Sequence, residues 1–267
     1  MAIFHYTDLN GLKGIIENNS LWATNINFLN DREEFHHGYK CFLNSLEYIG
    51  PPYYLPEMRK TIEEMLTHFI SQQGRHIYTI SFCSVADQLS QWRGYGREQG
   101  ICIEFDEAML SSVLKHHNYD MSCGEVIYTK ENSTLEAKDE INRLIDVNGP
   151  GSIDYRKDSF ERSIYIYHVI RKTIPFFKHK GFIEEREYRF AFTASNQVPD
   201  VKFRVSRGGY VPYIILKPLD GIKLPIKKII IGPSKNVQDV DAGIRFFLKH
   251  YGCDSIEIEH SKVPYRT

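Results

Sequence analysis

No apolar run in the sequence approaches the roughly 20 residues that a membrane-spanning helix needs. Met1 to Thr7 lacks the cationic start and apolar stretch of a signal peptide. Disulfides are not expected either. The five cysteines (Cys41, Cys83, Cys102, Cys123 and Cys253) are odd in number, widely spaced and without a CxxC pair. That pattern suits reduced thiols in the cytoplasm. Charge of one sign is also missing, since 33 Lys and Arg face 34 Asp and Glu for a net charge of −1. There is therefore no bulk attraction to nucleic acid or to an anionic membrane, only room for a local basic patch. The sequence has no Walker loop, no GxGxxG, no internal repeat and no Pro/Gly/Ser linker. Its 267 residues read as a single domain over 1–267.

What is present is the composition of a folded protein, with 42% hydrophobic and 13% aromatic residues. Ala2 to Tyr6 reads as a strand, and Asp8 caps a helix whose apolar face is Leu9, Leu12, Ile15 and Ile16. A short strand at Leu21 to Thr24 precedes two helices. The first starts at a capping box, Asp31 to Glu34, and the second carries Met58, Ile62, Met65 and Phe69 inward. His76 to Phe82, Gly100 to Phe105 and Glu125 to Thr129 read as strands, followed by helices near 131–146 and 156–173. Four strands then follow within 185–231, with a helix from Val237 and a last strand, Ser255 to Glu259. Strand pairs without intervening helices favour an α+β fold with mixed or antiparallel sheets flanked by helices. The helical insertions fall at roughly 31–73 and 131–180.

The richest stretch for chemistry is Glu184 to Phe190. Strand alternation puts Glu185, Glu187 and Arg189 on one face and Tyr188, Phe190 and Phe192 on the other. Two carboxylates and a guanidinium can build a polar cleft, with Arg189 keeping a carboxylate ionised. The same pattern also describes a solvated face with ordinary ion pairs. His5 on the first strand is either a catalyst or a hydrogen-bonded core histidine. Ser81 to Ser84 ends a strand in small polar groups, which serve a ligand or a turn. Trp92, Arg93 and Tyr95, between glycines, suit a flat or anionic ligand, or an ordinary packed loop. His36-His37 and His116-His117 lie near acids but lack a zinc spacing, so no metal is expected.

Taken in order, these motifs form a pattern. His5-Tyr6-Thr7, Leu21 to Thr24, and Phe28 to Asp31 with Glu34 open it. Leu89 to Gly96 and Phe176 to Arg189 continue it, and Ile230 to Ser234 with Ser261 to Arg266 close it. The pattern resembles the bacterial domain of unknown function 2971, a family whose name implies no activity. More distantly, the chain is similar to ADP-ribosyltransferases. Those enzymes carry a His or Arg on the first strand, a Ser or Tyr motif on a middle strand and a Glu on a late one. His5, Ser81 to Ser84, and Glu187 fall in that order, and Glu185-Arg186-Glu187 has the Glu-x-Glu form of the arginine-modifying branch. The middle motif departs, with Ser-Phe-Cys-Ser in place of Ser-Thr-Ser.

This second resemblance implies an ADP-ribosyltransferase-like fold and an enzyme that uses NAD as substrate, needs no metal and has a protein or nucleic acid as acceptor. Toxin or antiviral roles, with an antitoxin or other regulator as partner, follow from the same source. Glu187, Glu185 and His5 would be catalytic. His5, Tyr6, Ser81, Trp92, Arg93 and Arg189 would hold the dinucleotide. Two alternatives stand beside it: a nucleotide or nucleic-acid recognition domain using Trp92, Arg93 and Arg189, and a hydrolase of a nucleotide or glycosidic bond using Glu185 and Glu187.

Overall fold

The computed structural model describes residues 1–29, 34–45, 56–71, 77–96, 99–115, 119–130, 139, 158–194, 200–206, 208–234 and 236–264. The capping box before Glu34, the helix expected near 131–146 apart from Asp139, and the histidine pair His116-His117 lie outside them.

Strand β1 (Ala2–Asp8) runs into helix α1 (Leu9–Asn18), where the Asp8 carboxylate accepts the Gly11 amide at 2.9 Å. Asn19 ends α1 in the left-handed region (φ 47°), a conformation Asn tolerates. Strand β2 (Leu21–Asn25) leads to helices α2 (Glu34–Ser45) and α3 (Pro56–Ser71), then to β3 (Ile77–Cys83). Helix α4 (Leu89–Tyr95) occupies what reads in sequence as a glycine-punctuated loop. After it come β4 (Gly100–Asp106), α5 (Glu107–Leu114), β5 (Tyr119–Glu125) and β6 (Ile127–Thr129). Helix α6 (Ser159–Thr173), β7 (Phe177–His179) and a 3₁₀ helix (Lys180–Glu185) introduce β8 (Glu187–Ala194). The chain closes with β9 (Lys202–Ser206), β10 (Gly209–Leu216), β11 (Ile226–Ile231), α7 (Val237–His250) and β12 (Glu257–His260).

Ten strands form one mixed sheet, eight of them in the order β12-β11-β4-β1-β3-β2-β10-β9, with β8 and β5 branching from β3. The β11–β12 pair is parallel, joined through α7, and the other ladders are antiparallel. This is an open mixed sheet with helices, an α+β arrangement. Its distinctive feature is a fork at β3. One edge of β3 pairs with β8 along its whole length, and β5 lies beyond β8. The other edge is shared, with β1 at Cys83 and β2 at Tyr78 and Thr79.

Alternation then divides the side chains between the two faces. Tyr78, Ile80, Phe82, Tyr188, Phe190 and Phe192 enter the main core against α1, α5 and α7. The opposite face is covered in two patches. Helices α2 and α3 pack with Ile77, Ile174 and Phe177 at one end, so the two helical insertions meet there. Phe4, Tyr6, Cys83, Trp92, Cys102 and Ile230 cluster at the other end. No helix among the described residues is long and apolar enough to cross a membrane.

Candidate functional site

The fork brings the three motif-bearing strands together, since Cys83 is the register partner of both Phe4 on β1 and Glu187 on β8. Glu187 opens β8 immediately after a sharp turn. Arg186 sits there in the left-handed region (φ 43°), and its carbonyl accepts the Ser84 amide at 2.8 Å and hydroxyl at 3.1 Å. This corrects the expectation that Glu185 lies on the strand with Glu187. Glu185 instead ends the 3₁₀ helix, and the helix-to-strand turn falls inside the Glu-Arg-Glu motif. The Glu187 amide donates to Tyr128 Oη at 2.8 Å, and burial pushes that phenol up to about 12.

The Glu187 carboxylate is 4% exposed and held by cations. Arg189 Nε donates to Oε1 at 2.7 Å, and Lys178 Nζ to Oε2 at 3.0 Å. The nearby Ser81 side chain also favours the charged form of Glu187. Arg189 is fully buried and also donates to the Pro175 carbonyl. Lys178 bridges the two carboxylates, donating to Glu185 at 2.7 Å, so they meet although the backbone turns between them. Burial alone would raise the Glu187 carboxyl, but Arg189 and Lys178 outweigh it and hold the group below the usual carboxylate range. The face is therefore not solvated, as an ordinary charged strand face would be. Glu185, with 24% of its side chain exposed, is the carboxylate that meets solvent.

His5 takes a different position from Glu187. It stands opposite Ile103 and its ring lies 5.6 Å from Phe82, on the main-core face, whereas Ser81 and Glu187 occupy the other face. Its Nδ1 lies 3.1 Å from the Ser81 carbonyl oxygen, where β1 diverges from β3. Burial lowers its pKa, partly offset by that bond, so the neutral ring with Nδ1–H donating fits the geometry. Of the β1 residues on the Glu187 face, Phe4 is apolar and Tyr6 carries a hydroxyl. That hydroxyl donates to the Val85 carbonyl at 3.2 Å and accepts the Gln88 amide at 3.0 Å, and burial raises its pKa.

Trp92 is 4% exposed and turns inward, edge-on to Tyr6 at 4.9 Å between ring centroids. Its Nε1 donates to Asp87 at 2.9 Å, and the same carboxylate accepts the Ser261 hydroxyl and the Lys262 amide, tying down the 261–264 segment. Arg93, beside it, is exposed. Helix α4 is bound to the 3₁₀ turn by Gln88 Nε2 to the Glu184 carbonyl and Gln91 Nε2 to that of Glu185 at 3.3 Å. Burial raises the Cys83 thiol, which donates to Gln88 Oε1 at 3.2 Å; this is an inert thiol rather than a nucleophile.

Sequence reasoning missed Lys178 and Tyr128. Lys178 sits in a run of aromatic and basic residues, and only the pairing of β6 with β7 brings both to β8. As for metals, His37 turns to the Thr129 hydroxyl at 2.8 Å, and no group of three or more candidate ligands occurs among the described residues.

Residues 91–190 match the family model described as a protein of unknown function, DUF2971. The match covers two of the motifs that carry that resemblance, Leu89 to Gly96 in large part and Phe176 to Arg189. No curated protein and no solved structure matches the chain.

Proposed function

We propose that this chain is an ADP-ribosyltransferase-like enzyme that transfers ADP-ribose from NAD to a macromolecular acceptor, of the kind used in bacterial toxins or antiviral defence. The observation that carries the reading is the single row Phe4–Cys83–Glu187 across β1, β3 and β8. The three strands that hold the transferase-like motifs are thus neighbours, and Ser81 of the middle strand shares a sheet face with Glu187 of the late strand.

In this reading the bond between nicotinamide and ribose C1′ breaks with its electron pair leaving on nicotinamide. Glu187, kept ionised by Arg189 and Lys178, faces the positive charge that grows on the ribose only in the transition state. The acceptor's lone pair closes on C1′, and Glu185, open to solvent, takes the acceptor's proton. Arg189 and Lys178 position Glu187. His5, on the other face, acts through the Ser81 carbonyl as a positioning residue rather than by touching substrate. The recognition alternative needs Trp92, Arg93 and Arg189 at the ligand; of these Arg93 alone is exposed.

The test is incubation with adenylate-labelled NAD, bacterial protein extract and RNA. Label in protein or nucleic acid that disappears with Glu185→Gln is the expected result. Nicotinamide release without transferred label would make the protein a hydrolase, and no NAD turnover would overturn the reading.

A further inference from the structure

We propose that the open face of β2, β10 and β9 binds single-stranded nucleic acid, stacking a base on Trp22 and holding phosphates at Arg204 and Lys202. This goes beyond the reading above and does not depend on it, because none of these residues touches Glu187.

Register puts the group on one face. Thr24 and Lys202 both stand opposite Tyr213, Trp22 is opposite Ile215, and Arg204 is opposite Val211. The Trp22 and Tyr213 rings are stacked, with centroids 4.3 Å apart and planes at 24°. Tyr213 is buried, while Trp22, a large hydrophobic side chain, is left 42% exposed. An indole braced from beneath offers a rigid flat surface, so a base stacking on it orders little else. Exposed cations flank the pair. Arg204 reaches back to donate to Thr24 Oγ1 at 3.1 Å, which fixes the guanidinium beside the aromatic pair. Lys202 pairs with Asp200 at 2.9 Å, both exposed, an arrangement of little energetic worth that a phosphate can replace.

This combination of aromatic and basic groups on strands is complementary to a chain of bases and phosphates. It is poorly complementary to a second copy of this protein. Two-fold pairing of edge strands β9 about their midpoint would set Arg204 opposite its own symmetry mate, and cations on an edge strand block such pairing. A duplex keeps its bases stacked away from the indole. With a net charge of −1 there is no long-range attraction, so binding rests on contact at the face and its salt dependence is shallow.

Fluorescence anisotropy with a labelled strand of about twelve nucleotides, as DNA and as RNA, and with the matching duplex, tests this. The single strand is expected to bind more tightly than the duplex. Trp22→Ala should weaken it about 5- to 100-fold, and Trp22→Phe should largely preserve it. Arg204→Gln should lower the salt slope by about 0.7. Circular dichroism confirms that each variant is folded, and Glu187→Gln should bind as the parent does. No single-strand binding, equal binding to the duplex, or unchanged affinity in both Trp22→Ala and Arg204→Gln overturns the proposal.

Discussion

At the scale of single residues, two buried ionisable groups contribute to how stability depends on pH. Glu187 has a lowered pKa in the folded chain. As pH falls past about 4.3 the unfolded carboxyl takes up a proton before the folded one does, so acidification removes stability until the folded group also titrates. Denaturant unfolding between neutral pH and pH about 3 should show this loss, and Glu187→Gln should flatten that part of the curve. Arg189→Met leaves Glu187 buried with one cation fewer and should cost about 3–5 kcal/mol. The His5 pKa is lowered too, so the unfolded ring protonates first, below its ordinary value of about 6.5. Stability should therefore drop as pH falls from about 6.5, and His5→Gln should lack that component; an unchanged profile would place His5 outside the fold's proton linkage. The sequence read the alternation of Tyr188, Phe190 and Phe192 against Glu187 and Arg189 correctly, because a period of two needs no long-range information. It did not reveal that His5 and Glu187 occupy opposite faces, because that depends on where β1 and β3 meet.

At the scale of elements, the stretch after β3 differs most from its reading in sequence. Its glycines and Trp92 suggested a loop, either open to a ligand or packed, yet Leu89–Tyr95 forms a short helix with Trp92 turned inward. The glycines explain the packing. A methyl group on Gly232 would come within 2.9 Å of the Trp92 ring and of the Gly100 carbonyl oxygen, and one on Gly100 within 2.8 Å of the same ring. The Gly232-Pro233-Ser234 stretch thus serves a close approach to the indole. Gly232→Ala should destabilise the protein by about 1–3 kcal/mol in thermal or urea unfolding and shift Trp92 fluorescence; a neutral substitution would contradict this packing. Long periodic elements such as α1 and α7 were legible from their apolar faces. Strand β5 and helices α4 and α5 were not, since each is short and takes its conformation from the neighbours it packs against.

At the scale of the whole molecule, the α+β class followed from strands that succeed one another without helices. The fork at β3 did not, because strand order is set by pairings between residues far apart in the chain. That fork is the basis of the functional account, since it joins the first, middle and late motifs in one row and lets Lys178 connect Glu185 with Glu187. The most direct measurement is nicotinamide release from NAD by the purified protein, compared with Glu187→Gln and Glu185→Gln, each shown to be folded. The account predicts release by the parent, loss of at least about a hundredfold with Glu187→Gln, and partial activity with Glu185→Gln. Release that is indifferent to both substitutions, or none at all from a folded parent that also fails to bind NAD, would contradict it.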